Sequence, residues 1–388
     1  MDKIYQDLLT YFPTTFIKQN YPLAPITTLK IGGPADIYIQ TTSQPEFIKL
    51  LKFLSTYEIG NQPSQQFLSA QRTRTSIKDR GSPKVASTAK IRSQADNNIP
   101  ITILGNASNV LISDSGIRGI VIKNSSSSIK ILSKTTKTNF SKTDTHRTEN
   151  EPEKYLDFSK IDYDESGFPQ IKVQISSGTS LPHAINYLLD KGITGLQWFA
   201  YIPGTIGGAI VHNAHGGSYH ISDYLINVKV FNLATGKTII YSKSKLPWQY
   251  QTSYFLNHPQ MIILSANFNL FLGDVNRAKL SRDAWIAQKS KVQPVNSAGS
   301  VFANPPLDIC QKIWGEQKST GWIIDHELNL KGYKIGGAQI SPLHANFIVN
   351  NGSATSKDYL SLIKLVQNQA KSKFGFDLKH EIKLLGSF

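Results

Sequence analysis

Five stretches of the sequence carry residue types that suit chemistry. Gly105-Asn106-Ala107-Ser108-Asn109 follows an apolar run, Ile99-Pro100-Ile101-Thr102-Ile103-Leu104. Small residues there let successive backbone N–H groups face an anion, and Ser108 and Asn109 add side-chain donors. Ile202-Pro203-Gly204-Thr205-Ile206-Gly207-Gly208-Ala209 is a second loop of this kind. Its glycines allow a flat or charged ligand to approach the backbone closely. Neither loop is a G-x-G-x-x-G dinucleotide fingerprint or a P-loop, and each alone reads first as a tight turn. Two such loops flanking one strand–helix unit fit a dinucleotide held in extended form. The third stretch is Ser297-Ala298-Gly299-Ser300-Val301-Phe302-Ala303-Asn304-Pro305. Small residues before Ser300 would let its hydroxyl face a cleft. The pattern is not G-x-S-x-G, which disfavours a hydrolase elbow. In isolation a structural serine explains it as well.

The fourth stretch runs from Gly332-Tyr333-Lys334-Ile335-Gly336-Gly337-Ala338-Gln339 to His344-Ala345-Asn346-Phe347-Ile348-Val349-Asn350. His344 has no second His or Cys at ligand spacing, so no metal is expected. His212, His215 and His220 lie in polar, glycine-rich surroundings that suit a loop better than a metal site. The fifth is Glu381, at the start of an expected terminal strand beside Lys379 and His380. A lone glutamate on a strand reads as an exposed one.

These residues need elements to place them. Ile4, Leu8 and Tyr11/Phe12 give a short helical stripe, and residues 35–40 alternate as a strand. Ser43-Gln44-Pro45-Glu46 reads as a capping box opening a helix through about Leu54. Strands are expected at 99–104, 119–123, 171–176, 227–233, 237–242, 261–268 and 381–385. Ser180 should cap a helix stopped by Gly192, and Thr355 should open one ended by Gly375. Residues 58–98 turn polar and aperiodic and read as a long insertion. Residues 124–170 read as a second, with Ile129 and Ile131 alternating as in a hairpin. Helices and strands mix without a βαβ rhythm, so the expected class is α+β.

Composition bounds the function. The chain has 388 residues, 40% hydrophobic and 18% charged, enough for a sizeable core and for two or three domains. No run of 18 apolar residues suggests a membrane span, and Met1–Asp7 lacks the pattern of a secretory signal. The single cysteine, Cys310, excludes an intramolecular disulfide. A cytoplasmic protein is the expectation. A net charge of +15 would attract anions. Residues 71–96 hold an excess of five positive charges but no interleaved aromatics, so a nucleic-acid partner is disfavoured.

Taken in order, the motifs resemble the UDP-N-acetylenolpyruvoylglucosamine reductase family. The resemblance is carried by Pro22–Asp36, Leu104–Ile122, Gly195-Leu196-Gln197-Trp198 running into Ile202–Ala209, Ser297–Pro305, Lys331–Asn350 and Glu381–Gly386. It implies a vanillyl-alcohol-oxidase/PCMH-type FAD-binding fold followed by an α/β substrate-binding domain. The implied division is 1–57 and 99–275 for FAD, interrupted by 58–98 and 124–170. Residues 276–375 would bind substrate, and 376–388 would return to the active site. The cofactors would be FAD and NADPH, the substrate UDP-N-acetylglucosamine enolpyruvate, and the protein a monomer.

The resemblance implies Gly105, Asn106, Ala107, Ser108, Asn109, Gly204, Thr205, Gly207, Gly208 and Asn213 as cofactor contacts. Ser300 would donate a proton, Glu381 would stabilise an enol-like intermediate, and Asn304 and Tyr250 would contact substrate. Lys289 and Lys291 are candidate diphosphate partners. Two departures stand out. The family pattern Tyr-Arg-x-Ser is Tyr250-Gln251-Thr252-Ser253 here, so Gln251 replaces an active-site arginine. Loss of one such electrostatic contact costs on the order of 10²–10³-fold in rate. Asn213-Ala214-His215-Gly216-Gly217-Ser218 replaces the usual Asn-Ala-Gly-Ala-Tyr-Gly. A weakened relative that still binds FAD or a UDP-sugar is the alternative that Gln251 raises, and binding of nucleic acid through residues 71–92 is a third.

Overall fold

A computed structural model describes residues 1–57, 99–135 and 163–388. The expected insertion 58–98, its basic run and most of 124–170 therefore lie outside the described residues. Three strands of the first sheet alternate apolar side chains between two cores, as period-2 patterning requires. Strands β1 (Phe16–Pro22), β2 (Pro34–Thr41), β3 (Ile101–Leu104) and β5 (Ile117–Asn124) lie in the order β1-β2-β5-β3. The β1–β2 pair is antiparallel, and β5 runs parallel to both β2 and β3. Ile37, Ile39, Ile120 and Ile122 face the helices Asp2–Tyr11 and Gln44–Leu54. Tyr38 and Val121 face a second core with Leu104 and Ile112.

The second sheet is antiparallel throughout. It contains β6 (Ile129–Thr135), β7 (Gln170–Ser176), β10 (Leu225–Asn232), β11 (Lys237–Ser242) and β14 (Met261–Phe271), in the order β11-β10-β14-β7-β6. The helices Leu181–Asp190 and Ile206–Val211 share its core. Ribbons β8 (His215–Gly216) with β9 (Tyr219–His220), and β12 (Trp248–Gln249) with β13 (Thr252–Ser253), decorate it. A third core joins β15 (Lys334–Ile335), β16 (Ala338–Ile340) and β17 (Ile348–Asn350) to the Ser356–Phe374 helix. Leu29, Ile31 and Leu111 from the first half also enter it. The α+β class is as expected.

Local signals account for the element ends, with corrections. Thr355 and Asp358 exchange both bonds of a capping box, and Gly375 closes that helix at φ +78°. At the expected box the Ser43 hydroxyl accepts from Glu46 N–H at 3.3 Å. The Glu46 carboxylate, however, reaches one residue further back, to Thr42 N–H at 2.9 Å, so the reciprocal half is displaced. Ser180 sits at the N-cap of Leu181–Asp190, but its hydroxyl makes no capping bond. The terminal strand β18 (Lys383–Leu385) starts two residues after Glu381. It pairs in parallel with β4 (Val110–Ile112), a strand too short to show a period. The 18-residue helix Val275–Val292 was not expected. Only Ala278 and Ser281 on it are buried, so it has no apolar stripe to read.

Between β4 and β5 the chain must pass under the start of β2. A Cβ on Gly116, at φ +81°, would stand 1.8 Å from Pro34 O, so only glycine fits this turn. Beside it, the Asp114 carboxylate accepts from Ser356 N–H at 2.8 Å and Lys357 N–H at 3.3 Å. This latches the first half of the chain to the free N–H groups of the C-terminal helix. Asp114→Ala should therefore lower unfolding stability in urea by about 1 kcal/mol. Asp114→Asn, which still accepts, should lose less. Equal stability of Asp114→Ala and the wild type would remove the latch from the account.

Candidate active site

The two glycine-bearing loops meet. The first leaves β3 and enters β4, with Ala107 held at φ +49°. The Asn106 amide donates to Pro203 O at 2.9 Å and Gly204 O at 3.3 Å. The Thr205 hydroxyl caps the Ile206–Val211 helix by accepting from Gly208 N–H. A Cβ on Gly105 would lie 2.5 Å from Thr205 Oγ1, and one on Gly207 would lie 3.0 Å from Ser177 O. Gly105 lets the two loops close on each other, and Gly207 lets the second loop close on the turn after β7. A Cβ on Gly204 or Gly208 would instead meet no atom of another residue's side chain within 3.5 Å, so the Cα face of each is open.

That space is a cavity of about 1680 Å³. A small-molecule site typically holds roughly 300–1,000 Å³, so there is room for a dinucleotide and a second ligand. Ser300 and Glu381 both line it. They come from segments zipped together: Glu381 N–H donates to Val301 O at 2.8 Å, and Ala303 N–H to Lys379 O at 2.9 Å. Asn346 clamps the same segment, accepting from Phe302 N–H at 3.0 Å and donating to Phe302 O at 2.8 Å. Glu381 Oε1 is buried without a hydrogen-bond partner among the described residues. Burial pushes its carboxyl up to about 7, so a large share is the neutral acid at neutral pH.

Residues 290–385 match the family described as UDP-N-acetylenolpyruvoylglucosamine reductase, C-terminal domain, and residues 151–242 match an FAD binding domain. The C-terminal part of the chain thus resembles the UDP-N-acetylenolpyruvoylglucosamine reductase family. It is 29% identical over 369 residues to the reductase of that name from Caldanaerobacter subterraneus subsp. tengcongensis, covering 95% of this chain and 93% of that one. It is 28% identical to reductase 2 from Bacillus cereus, over 100% of this chain and 98% of the relative. The crystal structure of the reductase from Thermus caldophilus shares the fold. Its TM-score is 0.61 at 23% identity, covering 96% of this chain and 99% of that one. The expected FAD-binding fold is thus borne out.

The residues present fit FAD: the loops offer bare backbone, and the cavity wall holds an orphaned acid. Gln251, Tyr250, Asn304 and Lys289 also line the cavity. Gln251 stands at φ +53° in the two-residue turn Tyr250–Gln251 between β12 and β13. The Asn304 carbonyl already accepts from Thr320 N–H at 2.9 Å, so its NH₂ is what it can offer a ligand. Lys289 places its ammonium 4.7 Å from the centre of the Trp285 ring.

Two expected contacts are not on the wall. Lys291 is exposed away from the cavity, because residues two apart on a helix do not share a face. Asn213 is buried instead. Its amide donates to Gln249 O at 2.9 Å and its carbonyl accepts from Ser222 N–H at 3.3 Å, so it props the Gln251 hairpin.

Sequence reasoning also missed residues that are on the wall. Gln288 has a buried Oε1 without a partner among the described residues and faces the cavity. His212 and His215 line it too, and burial pushes the His212 imidazole down to about 4, so it is neutral at pH 7. Among the described residues no group of His, Cys, Asp and Glu is arranged to hold a metal. No helix among them is long and apolar enough to cross a membrane.

The raised carboxyl has a consequence for stability. A folded-state pKa near 7 against an unfolded value of 4.5 means no penalty below about 4.5. The penalty grows as pH rises through 7 and stays constant above. Glu381→Gln should therefore gain on the wild type between pH 4 and pH 8, by about 2 kcal/mol or less since the carboxyl is partly accessible. Urea unfolding at the two pH values measures it. A pH-independent difference would contradict a buried, unpaired acid.

Proposed function

We propose that this protein reduces UDP-N-acetylglucosamine enolpyruvate to UDP-N-acetylmuramate, a step of peptidoglycan precursor synthesis, with FAD bound and NADPH as reductant. The observation that carries this reading is one cavity shared by the two crossed loops, Ser300 and the unpartnered Glu381. Full-length relatives bearing the reductase name support it.

FAD, when bound, supplies a hydride acceptor and donor. The residues of this chain do the rest. Gly204 and Gly208 lack a side chain where the diphosphate bridge would approach the second loop. Addition of hydride at C3 of the enolpyruvyl group leaves negative charge delocalised from C2 into the carboxylate. A neutral Glu381 can donate a hydrogen bond to that charge. Ser300 stands as the proton donor to C2, and its own proton is then restored from solvent. Asn304 NH₂, the Tyr250 hydroxyl and Lys289 are the groups offered to the nucleotide sugar. The weakened-relative alternative is disfavoured: Gln251 is neutral, but the cavity around it is complete. Because Glu381 acts as an acid, turnover should fall as pH rises through about 7.

Anaerobic stopped-flow tests the reading. NADPH should bleach the flavin, and UDP-N-acetylglucosamine enolpyruvate should restore its yellow absorbance. In Ser300→Ala the bleaching should be unchanged and the reoxidation slower by on the order of 10²–10⁴-fold. A protein that stays colourless after FAD reconstitution, or a reduced flavin indifferent to the substrate, would overturn the assignment.

A further inference from the structure

The terminal ribbon presents a second group to the cavity besides Glu381. Side chains along an extended segment alternate between faces. Glu381, Lys383 and Leu385 line the cavity, whereas Ile382 and Leu384 pack into the C-terminal core. The partner strand does the same: Val110 lines the cavity and Leu111 enters that core. Lys383 is therefore on the wall beside the acid, about 7 Å along the strand. Its backbone N–H is fixed by Asn109 O at 3.0 Å, at the exit of the first glycine-bearing loop.

The cavity has few other free cations. Lys331 is tied to Asp325 at 2.7 Å, and Lys289 lies over Trp285. Lys383 makes no ion pair among the described residues, with Glu381 or any other. Its charge nonetheless reaches the cleft, because it adds to burial in keeping the His212 imidazole neutral. His212 closes the Ile206–Val211 helix, directly after the second loop. Lys383 thus stands between the two loops and the reacting acid, on the cofactor's side.

We infer that Lys383 stabilises the negative charge that a flavin ring acquires on reduction, and so sets the reduction potential of the bound FAD. The inference rests on the reductase reading. Hydride transfer from NADPH to the neutral ring releases NADP⁺ and leaves a reduced ring with one negative charge, spread over N1 and the C2 carbonyl. An ammonium on this wall would favour the reduced form over the oxidised one, as charge near the ring does in flavin sites. His212, neutral, adds no competing charge.

The test compares the FAD-loaded full-length wild type with Lys383→Met and Lys383→Arg. Lys383→Met should lose about tenfold in its preference for reduced over oxidised flavin. For a two-electron couple that is a fall of about 30 mV against a reference dye. Affinity for oxidised FAD should change little, and Lys383→Arg should keep the wild-type potential. In the FAD-free protein, NMR titration should show the His212 imidazole moving to higher pKa in Lys383→Met. An unchanged potential overturns the inference. So does an equal loss of affinity for oxidised and reduced FAD, which would place the ammonium on the diphosphate bridge instead. If Lys383→Met binds no FAD, Lys383→Gln serves for the same measurement. A wild type that binds no FAD would fail the reductase reading itself, whereas a flavoprotein whose potential ignores Lys383 fails this inference alone.

Discussion

The site depends on backbone hydrogen bonds that hold the last residues of the chain from two sides. On one side Glu381 N–H donates to Val301 O, and on the other Lys383 N–H donates to Asn109 O. Further along, Ser113 N–H donates to Leu385 O at 2.9 Å, and the Ser113 hydroxyl bonds Ser387 O. Glu381 and Lys383 reach the cavity only because this segment is inserted between β4 and the Val301 segment. The insertion carries a cost: a carboxyl is brought into surroundings that give one of its oxygens no partner. Neutralisation is the cheapest relief, and it is what turns the group from a base into an acid near pH 7.

The same insertion explains how the two halves of the chain share one site. The C-terminal core admits Leu29, Ile31 and Leu111 from the first half, and Asn350 donates to Leu29 O at 2.9 Å. Asp114 caps the Ser356–Phe374 helix from the turn after β4. Ser300 and Glu381 are therefore referenced to the same scaffold as the Gly105–Asn109 loop. A group that must act within hydrogen-bond reach of a reacting carbon needs that shared reference more than it needs any one strong contact.

How much of this was legible follows from which interactions are local. Gly375, the helix start at Thr355 and the alternation at 35–40 and 171–176 act within a few residues, and they were read from sequence. The Val275–Val292 helix was not, because it buries only Ala278 and Ser281. Nor was the three-residue β4, which exists through its pairing with β18, more than 270 residues away. The site divides the same way. Ser300 and Glu381 each read as ordinary residues until motif order joined them. Asn213 and Lys291 were placed by resemblance and proximity, and the backbone turns both away from the cavity. Lys383 was overlooked although its two-residue spacing from Glu381 could have signalled it.

Gln251 and the neutral Glu381 make sense together. A guanidinium at position 251, on the same cavity wall, would favour the ionised carboxylate and pull its pKa down. The developing charge would then meet a cation and an anion at once. With a neutral amide there, Glu381 keeps its proton, and a carboxylic acid can hold a forming enolate by hydrogen bonding without any cation in contact. In the proposed reaction, an acid that stays protonated to higher pH would offset the cationic contact missing at Gln251. In that reading the electrostatic work moves from the β12–β13 hairpin, which is partly open to solvent at Tyr250, to the terminal ribbon, where Glu381 Oε1 is buried. Fields act more strongly where water is excluded, so a weaker group in the ribbon can replace a stronger one at the hairpin.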